Sequence, residues 1–148
     1  MPDVYKYNDI ETRKQILQGL MDTDGYAMKK GNCASFTSTS KRLVEDVVFL
    51  VQSLGGIAKI SSKECGYKKN SVRKITGIAY TATIRYKSPQ ELFSLPRKRE
   101  ILSDRHFMPR RNIVDIKKIS NSSAKCITVD DSESLYLIEN FVVTHNTV

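Results

Sequence analysis

The chain has 148 residues, 40% of them hydrophobic, which is enough for one medium domain or two small ones. No apolar run approaches the ~20 residues needed to cross a bilayer, so no membrane partner is expected. A net charge of +8 and a pI near 9.4 suit a polyanionic partner, although solvated surface alone explains many basic clusters.

Those clusters are Lys68, Lys69, Arg73 and Lys74, then Arg97, Lys98 and Arg99, then Arg105, Arg110 and Arg111. Cys33, Cys65 and Cys126 have no Cys-x-x-Cys spacing, and the histidines are His106 and His145, so a structural zinc site is not expected. The start, Met1-Pro2-Asp3-Val4-Tyr5, lacks the basic and apolar regions of a signal peptide. With reduced cysteines, this gives an expectation of an intracellular, cytoplasmic protein.

In chain order, Ile10 to Asp22 reads as a helix with Ile16, Leu17, Leu20 and Met21 on one face. Gly19 lies among them and costs roughly 1 kcal/mol against Ala, which close approach of a second helix would offset. Asp22 and Asp24 follow at the helix C-terminus, where the macrodipole disfavours carboxylates and a cation would relieve the repulsion. Cys33 to Ser40 reads as a strand with Ser35, Thr37 and Thr39 on one face. Ser40 caps a helix from Lys41 to Leu54 that buries Leu43, Val44, Val47, Val48, Leu50, Val51 and Leu54, and Gly55-Gly56 stops it.

Ile57 to Lys63 is a predicted strand, and Cys65 to Ser71 a basic turn. Arg73 to Lys87 alternates, with Ile78, Tyr80, Ala82, Ile84 and Tyr86 facing a core. Thr81, Thr83, Arg85 and Lys87 face the other way, a surface suited to phosphates or base edges; Lys68, Lys69 and Arg73 join them as candidate DNA contacts. Pro89 to Phe93 begins a further helix.

Leu17-Gln18-Gly19-Leu20-Met21-Asp22-Thr23-Asp24-Gly25 resembles the nine-residue signature of LAGLIDADG homing endonucleases, departing at Gln18, Met21 and Thr23. The resemblance implies that two such helices pack side by side, the second repeat coming from a partner or from homodimerisation. It implies that Asp24 binds Mg²⁺ for cleavage of double-stranded DNA. Leu95-Pro96-Arg97-Lys98-Arg99-Glu100 resembles a closing segment of intein endonucleases. Lys98 is therefore a candidate basic residue near the scissile phosphate, with a solvated lysine as the alternative.

From Arg110 the pattern changes to short strands at Asn112–Ile119, Lys125–Asp130 and Leu135–Leu137, with a turn at Asn121-Ser122-Ser123. The end, Val142-Val143-Thr144-His145-Asn146-Thr147-Val148, carries its own chemistry. An Asn amide can attack its own carbonyl and cut the chain after itself, a neighbouring His can assist, and the Thr147 hydroxyl can accept an acyl group.

With Cys126-Ile127-Thr128-Val129 and Leu135-Tyr136-Leu137, this end resembles the C-terminal splicing motifs of inteins. The resemblance implies roles for His145, Asn146 and Thr147, with no cofactor for splicing. Cys126 with Thr144 either initiates splicing or tunes its acid–base chemistry, a buried structural Cys being the alternative. Ser134 stands where many inteins have a His. The chain starts with Met1 and no Thr is followed by a His three residues on, so an N-terminal intein half on a separate chain is expected.

The expected fold is α+β: a LAGLIDADG αββαββα repeat within 1–106, then the C-terminal β-strands of a Hint (intein) fold at 107–146, with 147–148 as a stub of the host sequence. The alternatives are a DNA-binding or DNA-cleaving module with a vestigial splicing tail, or a degenerate repeat that only scaffolds or binds DNA.

Overall fold

The computed structural model describes all residues except 70, 71, 105, 107, 109, 122, 124, 126, 131 and 146–148, and leaves out the side chains of 68, 69, 72 and 73. The chain forms two compact units, Met1–Pro109 and Arg110–Val148. Among the described residues no helix is long and apolar enough to cross a membrane.

In the first unit a short helix α1 (Asp3–Lys6), which the sequence pattern did not suggest, precedes α2 (Ile10–Asp24). Asp9 caps α2, its carboxylate accepting from Thr12 N at 2.9 Å and Thr12 Oγ1 at 2.8 Å. Strands β1 (Gly25–Met28) and β2 (Cys33–Ser38) follow, then α3 (Lys41–Ser53), whose cap is the predicted Ser40 accepting from Leu43 N at 3.3 Å. Gly55, just past α3, has φ +82, the left-handed conformation that favours glycine at a helix stop.

β3 (Ile57–Lys69) and β4 (Val72–Arg85) complete an antiparallel sheet of order β1-β2-β4-β3. Its inner face packs on α2 and α3 around Phe36, Leu17, Met21, Val44, Val47, Leu50, Val51, Ala82 and Ile84, all fully or nearly buried.

Several expectations need correction. The predicted basic turn at Cys65–Ser71 continues β3 through Lys69, pairing with a β4 that starts at Val72. The register shifts at Cys65/Gly66, and a Cβ on Gly66 would lie 2.1 Å from Lys74 O, so only glycine fits this approach. β4 ends at Arg85, leaving Tyr86 and Lys87 outside the ladder. Ile78, expected in the core, is 49% exposed because the hairpin outruns the helices beneath it.

The third helix is reduced to a 3₁₀ turn (Pro89–Leu92) and a single turn, α4 (Pro96–Arg99). Pro96 holds Leu95 extended at φ −69, ψ 120, and so prevents one continuous helix.

In the second unit, residues 110–130 carry no strand among those described, against the predicted strands at Asn112–Ile119 and Lys125–Asp130. Ile113, Val114, Ile116 and Ile119 are 77–95% exposed. β-Branched side chains favour a strand but do not supply the neighbouring ladder that its backbone needs. The hairpin of β5 (Leu135–Ile138) and β6 (Val142–His145) does form.

Candidate functional site

The end of α2 is built by two reciprocal attachments. Asp22 accepts hydrogen bonds from Ser94 N at 3.1 and 3.2 Å, from Ser94 Oγ, and from Leu95 N at 3.3 Å. Lys98, three residues further on, returns to the helix. Its Nζ donates to the carbonyls of Met21 at 2.9 Å, Asp22 at 2.8 Å and Gly25 at 2.6 Å, and lies 5.5 Å from the centre of the Phe93 ring. Lys98 thus provides the cation that the sequence called for at this negative helix end.

Asp24 is the last residue of α2, two residues beyond the predicted end. It is exposed, and its carboxylate makes no hydrogen bond or ion pair among the described residues. The two acids of the signature are therefore not equivalent: Asp22 fastens the 94–95 segment, while Asp24 is available to a ligand. A carboxylate is a hard oxygen donor of the kind Mg²⁺ prefers. No group of three or more Asp, Glu, His or Cys side chains suited to a metal occurs among the described residues, and Asp24 offers one such oxygen donor.

The three departures from the signature have local causes. Gln18 Nε2 donates to Glu91 O at 2.8 Å, tying α2 to the 3₁₀ turn. Lys14 adds an ion pair to Glu91 at 2.8 Å, which holds the Glu91 carboxyl below its ordinary pKa and raises that of Lys14. Met21 is fully buried, where a long flexible side chain fills core space. Thr23 turns its hydroxyl back to Leu20 O at 2.9 Å. Gly19 is exposed, and a Cβ there would meet nothing within 4 Å.

The outer sheet face begins beside this helix end. Across the strands, Tyr26 pairs with Ser35, Ser35 with Thr83, and Thr83 with Lys59. A second row runs from Thr37 through Thr81 to Ser61, with the two threonine hydroxyls 2.9 Å apart. Thr81, Thr83 and Arg85 lie on this strand face as expected, whereas Lys87 has left the ladder. The backbones of Lys68 and Arg73 pair in the distal hairpin, but their side chains and that of Lys69 lie outside the described ones.

Sequence reasoning missed Tyr26, Lys59 and Ser61. Tyr26 is 65% exposed in a strand too short to show alternation. Lys59 and Ser61 alternate with Ala58 and Ile60, a signal that was readable.

In the second unit, His145 pairs with Leu135 and Thr144 with Tyr136, so the Leu-Tyr-Leu segment runs alongside the Val-Val-Thr-His strand. Asn140 and Phe141 in the connecting turn have φ 60 and 56, and Arg111 Nη2 donates to Asn140 O at 2.7 Å. Ser134, which enters β5, also has a positive φ of 55. Cys126, Asn146 and Thr147 lie outside the described residues.

A helix, an antiparallel pair, a second helix and a second pair, with a carboxylate at the end of the first helix and a hydroxyl-rich outer face, define a homing-endonuclease-like module. The LAGLIDADG-like domain model matches residues 11–95, more than half of the chain, and the chain belongs to that family. It is also 32% identical over 154 aligned residues to the replicative DNA helicase DnaB of Mycobacterium intracellulare. That match covers 99% of this chain and 25% of the helicase, so the chain spans about a quarter of that relative's length.

Proposed function

We propose that the chain is the C-terminal, endonuclease-bearing part of an intein, which splices together with an N-terminal half. The observation that carries this reading is the β5–β6 hairpin, in which His145 ends the strand that leads directly into Asn146 and Thr147. In the proposed sequence an acyl chain passes to the Thr147 hydroxyl. Asn146 then cyclises with His145 donating to the scissile carbonyl, and an O-to-N shift completes the host peptide bond. Thr144 and Cys126 support or initiate these steps.

Two further observations favour this reading. The exposed Ile113, Val114, Ile116 and Ile119 leave the second unit with apolar surface for further strands to cover. The match to about a quarter of a much longer helicase suits a segment inserted in a host protein. Weighing the products of mixing this chain with its N-terminal half tests the reading. Asn146→Ala should leave a branched intermediate or N-terminal cleavage, and ligated product from that variant contradicts it.

The same chain, on this reading, carries half of a DNA endonuclease. Its sheet face would lie on double-stranded DNA, with Thr81, Thr83 and Arg85 contacting bases or phosphates and Lys59, Lys68, Lys69, Lys87 and Arg73 adding positive charge. A second repeat would pack against the open Gly19 face, supplied by the partner or by a second copy. Mg²⁺ held by Asp24 and the second repeat would stabilise charge on the cleaved phosphate. Nicking of plasmid by wild type but not by Asp24→Asn supports the nuclease; equal cutting removes Asp24 from the site. Splicing activity without nicking would leave a repeat that only scaffolds or binds DNA, and nicking without splicing would leave a nuclease with a vestigial tail.

A further inference from the structure

We infer that Lys98 is a positioning residue for Asp24 and makes no direct contact with the DNA phosphate, so that segment 93–99 acts as a clasp fixing the metal-binding end of the signature helix. The inference deepens the nuclease reading and rests on it for the role of Asp24. The clasp itself stands on this chain's own contacts.

An ammonium group has three N–H donors. All three of Lys98 are directed to backbone carbonyls, those of Met21, Asp22 and Gly25, which bracket Asp24 in the chain. No donor is left for a phosphate oxygen unless one of these bonds breaks. Of these, the Asp22 carbonyl is one that a helix C-terminus leaves without an intrahelical partner, and the negative end of the helix repels the carboxylates of Asp22 and Asp24. The Lys98 charge offsets that repulsion and favours keeping Asp24 helical up to Gly25.

The attachment is closed from the other side. Asp22 binds Ser94 and Leu95, which set the start of α4 and so the position from which Lys98 reaches back. Gly25 is held as well: its N–H donates to Met21 O while its own carbonyl accepts from Lys98. Phe93, 1% exposed, anchors the clasp in the core.

The test compares Lys98→Met and Lys98→Arg with wild type, first as free protein without metal or DNA. Amide hydrogen exchange at Gly25 should accelerate about tenfold or more in Lys98→Met, as expected for losing charge-assisted hydrogen bonds at this turn. Lys98→Arg should not restore protection, because a planar guanidinium cannot direct three donors at converging carbonyls. Ser94→Ala, which loosens the Asp22 side and leaves Lys98 intact, should accelerate Gly25 exchange to a smaller extent. It serves as the reading if Lys98→Met fails to fold.

The second arm measures binding to target duplex in Ca²⁺, with its salt dependence, and the Mg²⁺ concentration that gives half-maximal nicking. A positioning lysine leaves DNA affinity and salt slope within about twofold in Lys98→Met while raising the Mg²⁺ requirement several-fold. A phosphate-contacting lysine does the reverse: affinity and slope fall, Arg restores them, and Gly25 exchange stays at the wild-type rate. That second pattern overturns the inference, as does wild-type exchange in Lys98→Met and Ser94→Ala. Absence of DNA binding by wild type would count against the nuclease reading alone, since the exchange arm needs no DNA.

Discussion

Thr37 and Thr81 face each other across β2 and β4 with their hydroxyl oxygens 2.9 Å apart, on the side of the sheet away from the helices. One hydroxyl must donate to the other, so each fixes its neighbour's orientation and leaves a defined pattern of donors and acceptors. Thr81→Val should cost about 1–3 kcal/mol of discrimination between target and mismatched duplex while barely changing the melting temperature. Lys59→Ala should instead weaken binding to every duplex and lower the salt slope by about one. Competition binding at several salt concentrations separates the two effects.

Gly19 offers a test of repeat pairing. A Cβ there meets nothing within 4 Å, so Gly19→Ala removes a helix penalty of roughly 1 kcal/mol with no clash inside the unit. The isolated chain should melt a few degrees higher. Its association with a second repeat, measured by sedimentation, should weaken, and Gly19→Leu should abolish it. Unchanged association with Gly19→Leu would show that this face is not the pairing surface.

Gly25 gives the opposite expectation. Its backbone is extended, but a Cβ would lie 2.4 Å from Met21 O and 2.7 Å from Met21 Cα. Gly25→Ala should therefore lose about 1–3 kcal/mol in denaturant unfolding, the usual cost of overpacking.

The pH dependence follows from two carboxyls. Burial alone would raise the pKa of Asp46, but hydrogen bonds from Lys6 and the amino terminus, with their charges, outweigh it and hold Asp46 low. The Lys14 hydrogen bond holds Glu91 low as well. The stability they contribute is complete above their ordinary pKa near ~4 and is lost as pH falls through the depressed folded values. Lys6 and Lys14 are shifted up by the same pairings, so their share is present below their ordinary pKa and lost only as pH rises through the raised folded values. Melting curves should be flat near neutrality and fall on the acid side, and Glu91→Gln should blunt that acid fall.

What could be read from the residues was local. Ser40 announced the start of α3, and the spacing of Val44, Val47, Leu50 and Val51 gave its buried face. The signature picked out Asp24, which stands exposed at the end of α2. The longer reach was not legible. Lys98 and Gly25 are separated by 73 positions, and no periodicity links a basic run to the helix end it caps. The bulge at Cys65/Gly66 hid the extension of β3 because a glycine shortly before Lys68 and Lys69 reads as a basic turn. Residues 112–119 are rich in β-branched residues like a strand, yet no pairing strand is found for them among the described residues.

The central claim is that Asn146, aided by His145, excises the segment that ends in it. The most direct measurement is intact-mass analysis after the chain has been combined with the N-terminal splicing half, or expressed within its host protein. The account predicts a released segment ending in a C-terminal aminosuccinimide at Asn146 and a ligated product in which Thr147 follows the upstream host sequence, with both absent in Asn146→Ala. Ligation that persists in Asn146→Ala, or no release from the wild type when both halves are present, would contradict it.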